Sequence, residues 1–156
     1  MGALHHDFFG LKADGSFVIG EYDLLEEISS DLVQACGGRG VILQDGQPYD
    51  ISYTEGGDDL GVNVHPRTAV GFRENGDLLI VVADGRQSGY SVGMNLVDLA
   101  QVFKSLGAVS ALNLDGGGSS TFVTKNADGS LSVKNKTSNS GGALRAVGDC
   151  LILTAA

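Results

Sequence analysis

The segment from Asn113 to Thr121, Asn-Leu-Asp-Gly-Gly-Gly-Ser-Ser-Thr, constrains the fold of this chain more than any other. The residues that precede Asp115, 108–114, are mostly apolar and are typical of a buried strand. Three consecutive glycines add little to a sheet, because each costs backbone entropy and packs no side chain. They are useful where the backbone turns sharply or closely approaches another group. The pattern therefore predicts a strand that opens at Asp115 into a glycine-rich loop.

This loop has the composition of a site, although a plain glycine-rich turn between two strands is the alternative. The carboxylate of Asp115 is expected at the exit of the strand, where it is accessible. Successive backbone N–H groups in such a loop can point at an anion, and hydroxyl side chains supply further donors. The expected donors are Gly116, Gly117, Gly118, Ser119, Ser120 and Thr121.

The length and composition indicate one strand-rich domain. The chain has 156 residues, with 24 glycines and two prolines, which favours many tight turns over linkers. The formal net charge is −9 and the basic residues are scattered along the sequence. We therefore expect no nucleic-acid partner. We also expect no insertion into a membrane, because no apolar run in the sequence is long enough to span one. The oligomeric state is not predicted.

Two cysteines, Cys36 and Cys150, are too few for a disulfide framework. We expect two buried free thiols, with a single disulfide as the alternative. The histidines are His5, His6 and His65, and we expect the first pair, near the terminus, to be solvated rather than a set of metal ligands.

In the first half of the chain, a helix is predicted from Asp23 to about residue 35, because Asp23 and Glu26 form a capping box and Gly37 ends the apolar stripe. Asp45-Gly46 is a hairpin signal. The other elements expected here are a strand over Phe17–Gly20, hairpin arms at Val41–Leu43 and Gln47–Ile51, and a polar loop over Thr54–Val64.

In the second half, a hairpin is predicted with arms at Arg67–Arg73 and Asp77–Ala83. Its second arm is apolar on both faces, which predicts a central strand. A helix from Asn95 to Leu106 follows, and Gly107 ends it. Further strands are expected over 121–124 and 145–153.

Together these elements predict an α+β fold: a single domain with a mixed, strand-rich sheet and two main helices. A strand, a helix and a strand in this spacing suggest a right-handed crossover, which would bring Asp84 and Asp115 to the same end of neighbouring parallel strands. Two carboxylates at one sheet edge are a plausible pair for acid and base catalysis. No cofactor is expected, although the two carboxylates and nearby carbonyls are a possible site for Ca²⁺.

The segment Gly89-Tyr90-Ser91-Val92-Gly93 matches the Gly-x-Ser-x-Gly pattern of serine hydrolases. That motif requires the serine on a sharp turn directly between a strand and a helix, and a histidine later in the chain. Here the predicted strand ends near Ala83, the helix begins after Asn95, and no histidine follows Ser91. We instead expect Ser91 to shape a loop at a helix N-terminus, which favours anions.

Five segments resemble, in order, the motifs of the phosphodiester glycosidase domain family: Arg67–Gly71, Val82–Arg86, Gly89–Met94, Asn113–Ser120 and Arg145–Val147. The resemblance is strong over 66–153 and weaker over 9–50. Members of the family usually carry an Asn-Gly-Gly-Phe-Phe segment well before this part. Here only His5-His6-Asp7-Phe8-Phe9-Gly10 stands near the start, so we expect the N-terminal part of the domain to be divergent or missing.

The resemblance implies hydrolysis of a sugar C1–O–phosphate linkage, which releases a free sugar such as N-acetylglucosamine and a phosphomonoester. It implies Asp115 as nucleophile or water-activating base, with Asp84 as its partner or as the residue that positions Arg86. Guanidinium groups suit phosphate oxygens and remain charged. The expected substrate-binding residues are Arg67, Arg86, Ser91, Asn113, Gly116, Gly117, Gly118, Ser119, Ser120 and Arg145.

The implied substrate is a phosphorylated glycan or a cell-wall glycopolymer, and the implied location is extracytoplasmic or secreted. Two other functions stay open at this point. One is a non-catalytic module that binds glycans or phosphoglycans, and the other is a metal-assisted phosphodiesterase that cuts the P–O bond.

Overall fold

The described parts of the chain, residues 7–49 and 61–154 of a computed structural model, contain a five-stranded antiparallel sheet. Its strands are β4 (Val41–Gln44), β5 (Gln47–Pro48), β6 (Arg67–Phe72), β7 (Leu78–Ala83) and β8 (Ser110–Asn113), in the spatial order β5-β4-β8-β6-β7. A second sheet has the order β2-β1-β3, with β1 at Asp7–Lys12, β2 at Phe17–Gly20 and β3 at Leu32–Gly38. A small hairpin joins β9 (Val123–Lys125) to β10 (Leu131–Val133).

Alternating residues of the five-stranded sheet face two separate apolar clusters. On one face, Ala69 and Ala111 pack with Leu99 and Phe103 of helix α2 (Leu96–Ser105). On the other face, residues such as Val70 pack against Phe9 and the rest of the three-stranded sheet. The large sheet therefore lies between a helix and a smaller sheet. This confirms the predicted α+β class and the single domain.

The predicted parallel arrangement of two neighbouring strands is wrong. Both β7 and β8 pair with β6, and both pairs are antiparallel. The two strands do run in the same direction, but β6 lies between them, and every strand pair in the described ranges is antiparallel. Since β7 and β8 run the same way, their ends still lie at one edge of the sheet.

The apolar residues on both faces of strand β7 predict a central position in the sheet. Both faces do pack on the core, since Leu79 and Val81 join one cluster and Leu78 and Ile80 join the other. Within the described chain, however, β7 is an edge strand and its residues are only half-buried. The hydropathy of a strand indicates whether its two faces are covered, but not how many strands pair with it in the sheet.

The first predicted helix is shorter than expected. Helix α1 covers Tyr22–Ile28, and a single 3₁₀ turn at Ser29–Asp31 leads into β3. Residues 32–38 pair with β1, and this non-local pairing overrides the helical pattern. Asp23 is not the cap either, because Glu21 holds that position without a side-chain hydrogen bond. The second helix agrees with the prediction: the side chain of Asn95 accepts a hydrogen bond from Asp98 N.

The hairpins agree with their turn residues. Asp45 and Gly46 both adopt positive φ, at 51° and 70°, between β4 and β5. The β6–β7 hairpin turns at Gly76, with φ 87°. The loop predicted over 54–64 and the end of the arm at Ile51 lie mostly outside the described residues.

The strand predicted over 145–153 does not form in the described chain. These residues are exposed and have no strand partner. Both cysteines are free, but Cys36 is only half-buried and Cys150 is exposed, so the prediction of two buried thiols is wrong. Burial and the nearby charge of Asp149 raise the pKa of Cys36. No helix of the described residues is long and apolar enough to cross a bilayer.

Candidate active site

A cavity of about 400 Å³ opens at one end of the five-stranded sheet. Four parts of the sheet meet there: the ends of β7 and β8, the start of β6 and the loop before β4. They meet because β6 pairs antiparallel with β7 and β8, and β4 pairs antiparallel with β8. The lining residues are Arg39, His65, Pro66, Arg67, Arg86, Asn113, Leu114, Asp115, Gly116, Gly117, Gly118 and Arg145. Eight of the twelve predicted site residues are therefore brought together. Asp84, Ser91, Ser119 and Ser120 are not part of the lining.

Asp115 lies where the β8 strand leaves the sheet. The last ladder contact is the hydrogen bond from Leu114 N to Thr68 O, at 2.8 Å. The next residue, Asp115, is exposed, and its Oδ1 accepts a hydrogen bond from Gly116 N at 2.8 Å. A carboxylate with this exposure is accessible to a substrate in the cavity.

The three glycines are required by close packing. A Cβ on Gly116 would lie 2.7 Å from the carbonyl oxygen of Pro66, and one on Gly118 would overlap the side-chain oxygen of Asn139. Gly117 has a φ of 61°, and a Cβ there would lie 3.0 Å from a guanidinium nitrogen of Arg86. The expected close approach is therefore present at all three positions.

The predicted cradle of backbone N–H groups is largely wrong. Gly117 N donates to Pro66 O, Ser119 N to Gly116 O, and Ser120 N to Gly117 O. Gly116 N donates to Asp115, as described above. Of the five amides over 116–120, only that of Gly118 has no acceptor in the described structure. The loop uses its donors to hold its own shape, so side chains carry most of the remaining capacity to bind an anion.

Those side chains are arginines. The chain contains five arginines, and four of them, Arg39, Arg67, Arg86 and Arg145, line this cavity. Asp115 is the only carboxylate among the lining residues of the described chain. Because the whole chain carries a formal charge of −9, this is a local concentration of positive charge in an acidic protein.

The four arginines are held differently. Arg67 is 2% exposed, and it donates from Nε to Met94 O at 2.9 Å and from Nη2 to Asn63 O at 3.0 Å. These bonds tie β6 to two loops, so Arg67 shapes the cavity wall. Arg39, Arg86 and Arg145 are exposed. The exposed guanidinium groups of Arg86 and Arg145 keep donors for an incoming anion.

Arg86 adopts a backbone conformation that is uncommon for a residue with a side chain. Its φ is 56°, and its N–H donates to Val92 O at 3.1 Å. Its Nη2 lies 3.1 Å from Nδ1 of His65. The chain therefore fixes both the backbone and one edge of the guanidinium.

Asp84 is held by several donors outside the cavity. Its carboxylate accepts hydrogen bonds from Tyr90 Oη and Asn135 Nδ2, both at 2.9 Å, and from Lys136 N. Burial raises the pKa of Asp84, but the hydrogen bonds from Asn135, Lys136 and Tyr90 outweigh that effect and hold its pKa below the ordinary value. This carboxylate anchors the loop that carries Arg86 to the segment around residue 135.

The Gly-x-Ser-x-Gly segment is explained by backbone needs. Gly89 has a φ of 76° in a turn, and Gly93 has a φ of 104°, where a Cβ would overlap the carbonyl group of His65. Ser91 Oγ donates to Asp84 O at 2.6 Å. The serine thus stabilises the turn, and it is not among the residues that line the cavity.

At the start of the second helix, two of the backbone N–H groups that could bind an anion already have acceptors. The Asn95 side chain caps Asp98 N, and Leu96 N donates to Gly61 O at 3.1 Å. The anion site expected at this helix start therefore has fewer free donors than the sequence predicts, and it stays a prediction.

Asn113 and Ser120 are buried polar residues close to the loop. Asn113 is 2% exposed and donates from Nδ2 to Arg39 O at 3.0 Å, while its Oδ1 has no partner among the described residues. Ser120 Oγ accepts from Thr68 Oγ1 at 3.2 Å, and the buried Ser119 Oγ has no partner there. Asn113 therefore fixes the position of Arg39, and Ser120 joins the loop to β6.

Sequence reasoning missed two lining residues that carry chemistry, His65 and Arg39. Arg39 lies in Gly37-Gly38-Arg39-Gly40, a cation among glycines, which is the same kind of signal that identified the loop after Asp115. His65 has no comparable signal, since it stands alone at the end of a long loop. The described residues include no group of three or more His, Cys, Asp or Glu side chains that could hold a metal ion.

Comparisons with known proteins give the class of this chain. The phosphodiester glycosidase family model matches residues 2–154, so the chain belongs to that family. It is 34% identical over 135 residues to N-acetylglucosamine-1-phosphodiester alpha-N-acetylglucosaminidase of Mus musculus, and 33% identical over 134 residues to that of Homo sapiens. Each match covers 78% of this chain and 26% of the relative.

A solved structure agrees with this assignment. The catalytic domain of the zebrafish N-acetylglucosamine-1-phosphodiester alpha-N-acetylglucosaminidase, auto-inhibited by its pro-peptide, superposes with a TM-score of 0.74 and 29% identity. The match covers 92% of this chain and 50% of that one. The chain thus spans about a quarter of the curated relatives and half of the solved domain.

Proposed function

We propose that this chain hydrolyses the bond between the anomeric carbon of a sugar and a phosphate oxygen in a sugar-1-phosphodiester. The observation that carries the proposal is one exposed carboxylate, Asp115, in a cavity lined by four of the five arginines. A carboxylate can attack the anomeric carbon or activate a water that does so. Arginines can stabilise the negative charge that develops on the departing phosphate.

The leaving group explains why one accessible carboxylate suffices. An alcohol needs a proton as it departs, and glycosidases therefore use a second carboxyl group as general acid. A phosphomonoester departs as a weakly basic anion, so positive charge can take the place of that proton. Exposed Arg86, Arg145 and Arg39 would supply this charge, while Asp84 keeps the Arg86 loop in position.

We also propose that the reaction needs no metal cofactor. One carboxylate among four guanidinium groups does not suit Ca²⁺, which takes six to eight oxygen ligands. We expect activity to survive dialysis against a chelator and a metal-free assay buffer. Loss of activity that added Ca²⁺ restores would favour the metal-assisted phosphodiesterase instead.

The sugar we propose is N-acetylglucosamine, which the names of the mouse and human relatives contain. The aglycone would be a phosphorylated glycan or a cell-wall glycopolymer. We also infer an extracytoplasmic or secreted location, because cell-wall glycopolymers lie outside the cytoplasm.

Hydrolysis in ¹⁸O-labelled water tests the proposal with an N-acetylglucosamine-1-phosphodiester as substrate. Label in the sugar is expected, because C–O cleavage adds water to the anomeric carbon. Label in the phosphate would show P–O cleavage and contradict the proposal. Binding of the substrate without any product would indicate a non-catalytic glycan-binding module.

A further inference from the structure

His65 is held in place by its own backbone. His65 N donates to Met94 O at 3.1 Å, and Met94 N donates to His65 O at 2.9 Å. The carbonyl group of His65 packs so closely on Gly93 that a Cβ would overlap it there. Met94 O also accepts from Arg67 Nε, which joins this bridge to β6. The start of the histidine side chain is therefore fixed relative to the sheet.

The contact with Arg86 assigns the state of the ring. A guanidinium group has five N–H donors and no acceptor. Because Arg86 Nη2 lies 3.1 Å from His65 Nδ1, that nitrogen must accept the hydrogen bond. A ring that accepts at Nδ1 is neutral and carries its proton on Nε2. The hydrogen-bond partner thus selects one tautomer out of the three possible ring states.

The guanidinium of Arg86 has a second neighbour, at its other terminal nitrogen. Its Nη1 is the atom nearest to the Cβ position of Gly117, at 3.0 Å, in the loop that follows Asp115. His65 and the loop therefore confine an arginine that is otherwise exposed. Without one of them, this long side chain would adopt several rotamers and spend less time over the cavity.

We propose that His65 is a positioning residue, which holds the Arg86 guanidinium against the Gly117 loop in the orientation that receives the phosphate. This inference rests on the proposed function, because that function makes phosphate the ligand of Arg86. One guanidinium N–H is used by His65, and the remaining donors stay available to the phosphate oxygens. His65 thus acts on the reaction through Arg86.

Two substitutions of His65 distinguish the role of Nδ1 from that of Nε2. In His65→Asn, the side-chain oxygen can take the place of Nδ1 as acceptor, whereas in His65→Gln the polar atoms lie near the position of Nε2. We expect His65→Asn to bind inorganic phosphate within about threefold of the wild type and His65→Gln to bind it at least roughly tenfold more weakly. Equal affinity of His65→Gln and the wild type would overturn the proposal. Thermal unfolding of both variants establishes that each is folded.

A double-mutant cycle with Arg86→Ala tests whether His65 affects phosphate binding through Arg86. If His65 acts through Arg86, His65→Gln should weaken phosphate binding in the wild type and have no further effect in Arg86→Ala. Additive losses would overturn the positioning role. The control is Arg73→Ala, which removes the one arginine outside the cavity, and its phosphate affinity should equal that of the wild type.

The NMR signals of the His65 ring nitrogens report directly on the hydrogen bond between His65 and Arg86. A long-range ¹H–¹⁵N NMR spectrum should show His65 as the Nε2–H tautomer in the wild type, and the Nδ1 signal should shift in Arg86→Ala. A His65 protonated on Nδ1 would contradict the inference. If the tautomer is the expected one and inorganic phosphate does not bind, the pair stands and the proposed function fails.

Discussion

Both carboxylate oxygens of Asp84 accept a hydrogen bond from the backbone N–H of Lys136, at 3.1 and 3.0 Å. Gln87 reinforces this connection, since its Nε2 donates to Lys136 O at 2.9 Å. The ammonium group of Lys136 also lies 4.7 Å from the ring centre of Tyr90, which itself donates to Asp84. The loop that presents Arg86 is thus anchored to the segment after β10.

This anchor makes stability depend on pH in the acid range. The pKa of Asp84 is lower in the folded chain, so its contribution is complete above the unfolded-state value of about 4 and is lost as the pH falls through the folded-state value. Asp84→Asn should therefore lower the free energy of unfolding at pH 7 by about 1 kcal/mol, a modest value because the group is partly exposed to solvent. Urea denaturation at pH 7 and pH 3 measures both effects. A variant as stable as the wild type at pH 7 would contradict the anchoring role.

Asp115→Asn should abolish hydrolysis and leave the fold unchanged. Among the described residues, the exposed carboxylate accepts one hydrogen bond, from Gly116 N, and an amide oxygen can accept the same bond. We expect kcat/KM for a sugar phosphodiester to fall by about a thousandfold or more, while Tm changes by less than about 2 °C. Full activity of Asp115→Asn would reduce Asp115 to a turn residue. A large loss of Tm would mean that its charge stabilises the loop.

Removal of a cavity arginine should weaken the binding of inorganic phosphate. Arg145 comes from the segment that ends the chain, and it makes no hydrogen bond or ion pair in the described structure, so Arg145→Ala should weaken binding roughly tenfold at little cost in stability. Its matched control is Arg73→Ala, because Arg73 forms an exposed ion pair with Asp77 at the far end of β6. Isothermal titration at low and high salt measures both variants. Equal losses would indicate a general effect of net charge.

Gly117→Ala should affect phosphate binding, and Gly46→Ala should not. Both glycines have positive φ, 61° and 70°, so alanine costs about 1 kcal/mol of stability at either position. Only at Gly117 does the new methyl group meet Arg86, since nothing lies within 4 Å of a Cβ at Gly46. Equal phosphate affinities would show that the position of Arg86 tolerates the methyl group.

The elements specified by local chemistry could be predicted from the sequence. The turns at Asp45-Gly46 and Gly76 need positive φ, and Asn95 caps a helix through its own side chain. Residues 32–38 could not be assigned in this way, because they become a strand only by pairing with β1. The edge position of β7 likewise depends on which strands are available, and no pattern within β7 records it.

In the site too, local sequence predicts some residues and only the tertiary fold brings in the others. Asp115 and the glycines after it stand together in the sequence, so their composition predicts a loop that approaches other groups. His65 and Arg39 come from loops 26 residues apart, and they reach the cavity only through the Met94 bridge and the contact of Arg39 with Asn113. Contacts of this kind are set by the tertiary fold.

The antiparallel arrangement around β6 also divides the molecule into two ends. The cavity lies beside Arg67 at the start of this strand, and the turn at Gly76 follows its other end, about 20 Å away for six extended residues. The turn at Asp45-Gly46 lies at that distant end too, since β4 begins near Arg39. An affinity tag, a fluorophore or a surface linkage inserted at either turn would therefore leave access to the cavity open, which makes these hairpins suitable attachment points for immobilising the chain or following its binding in real time.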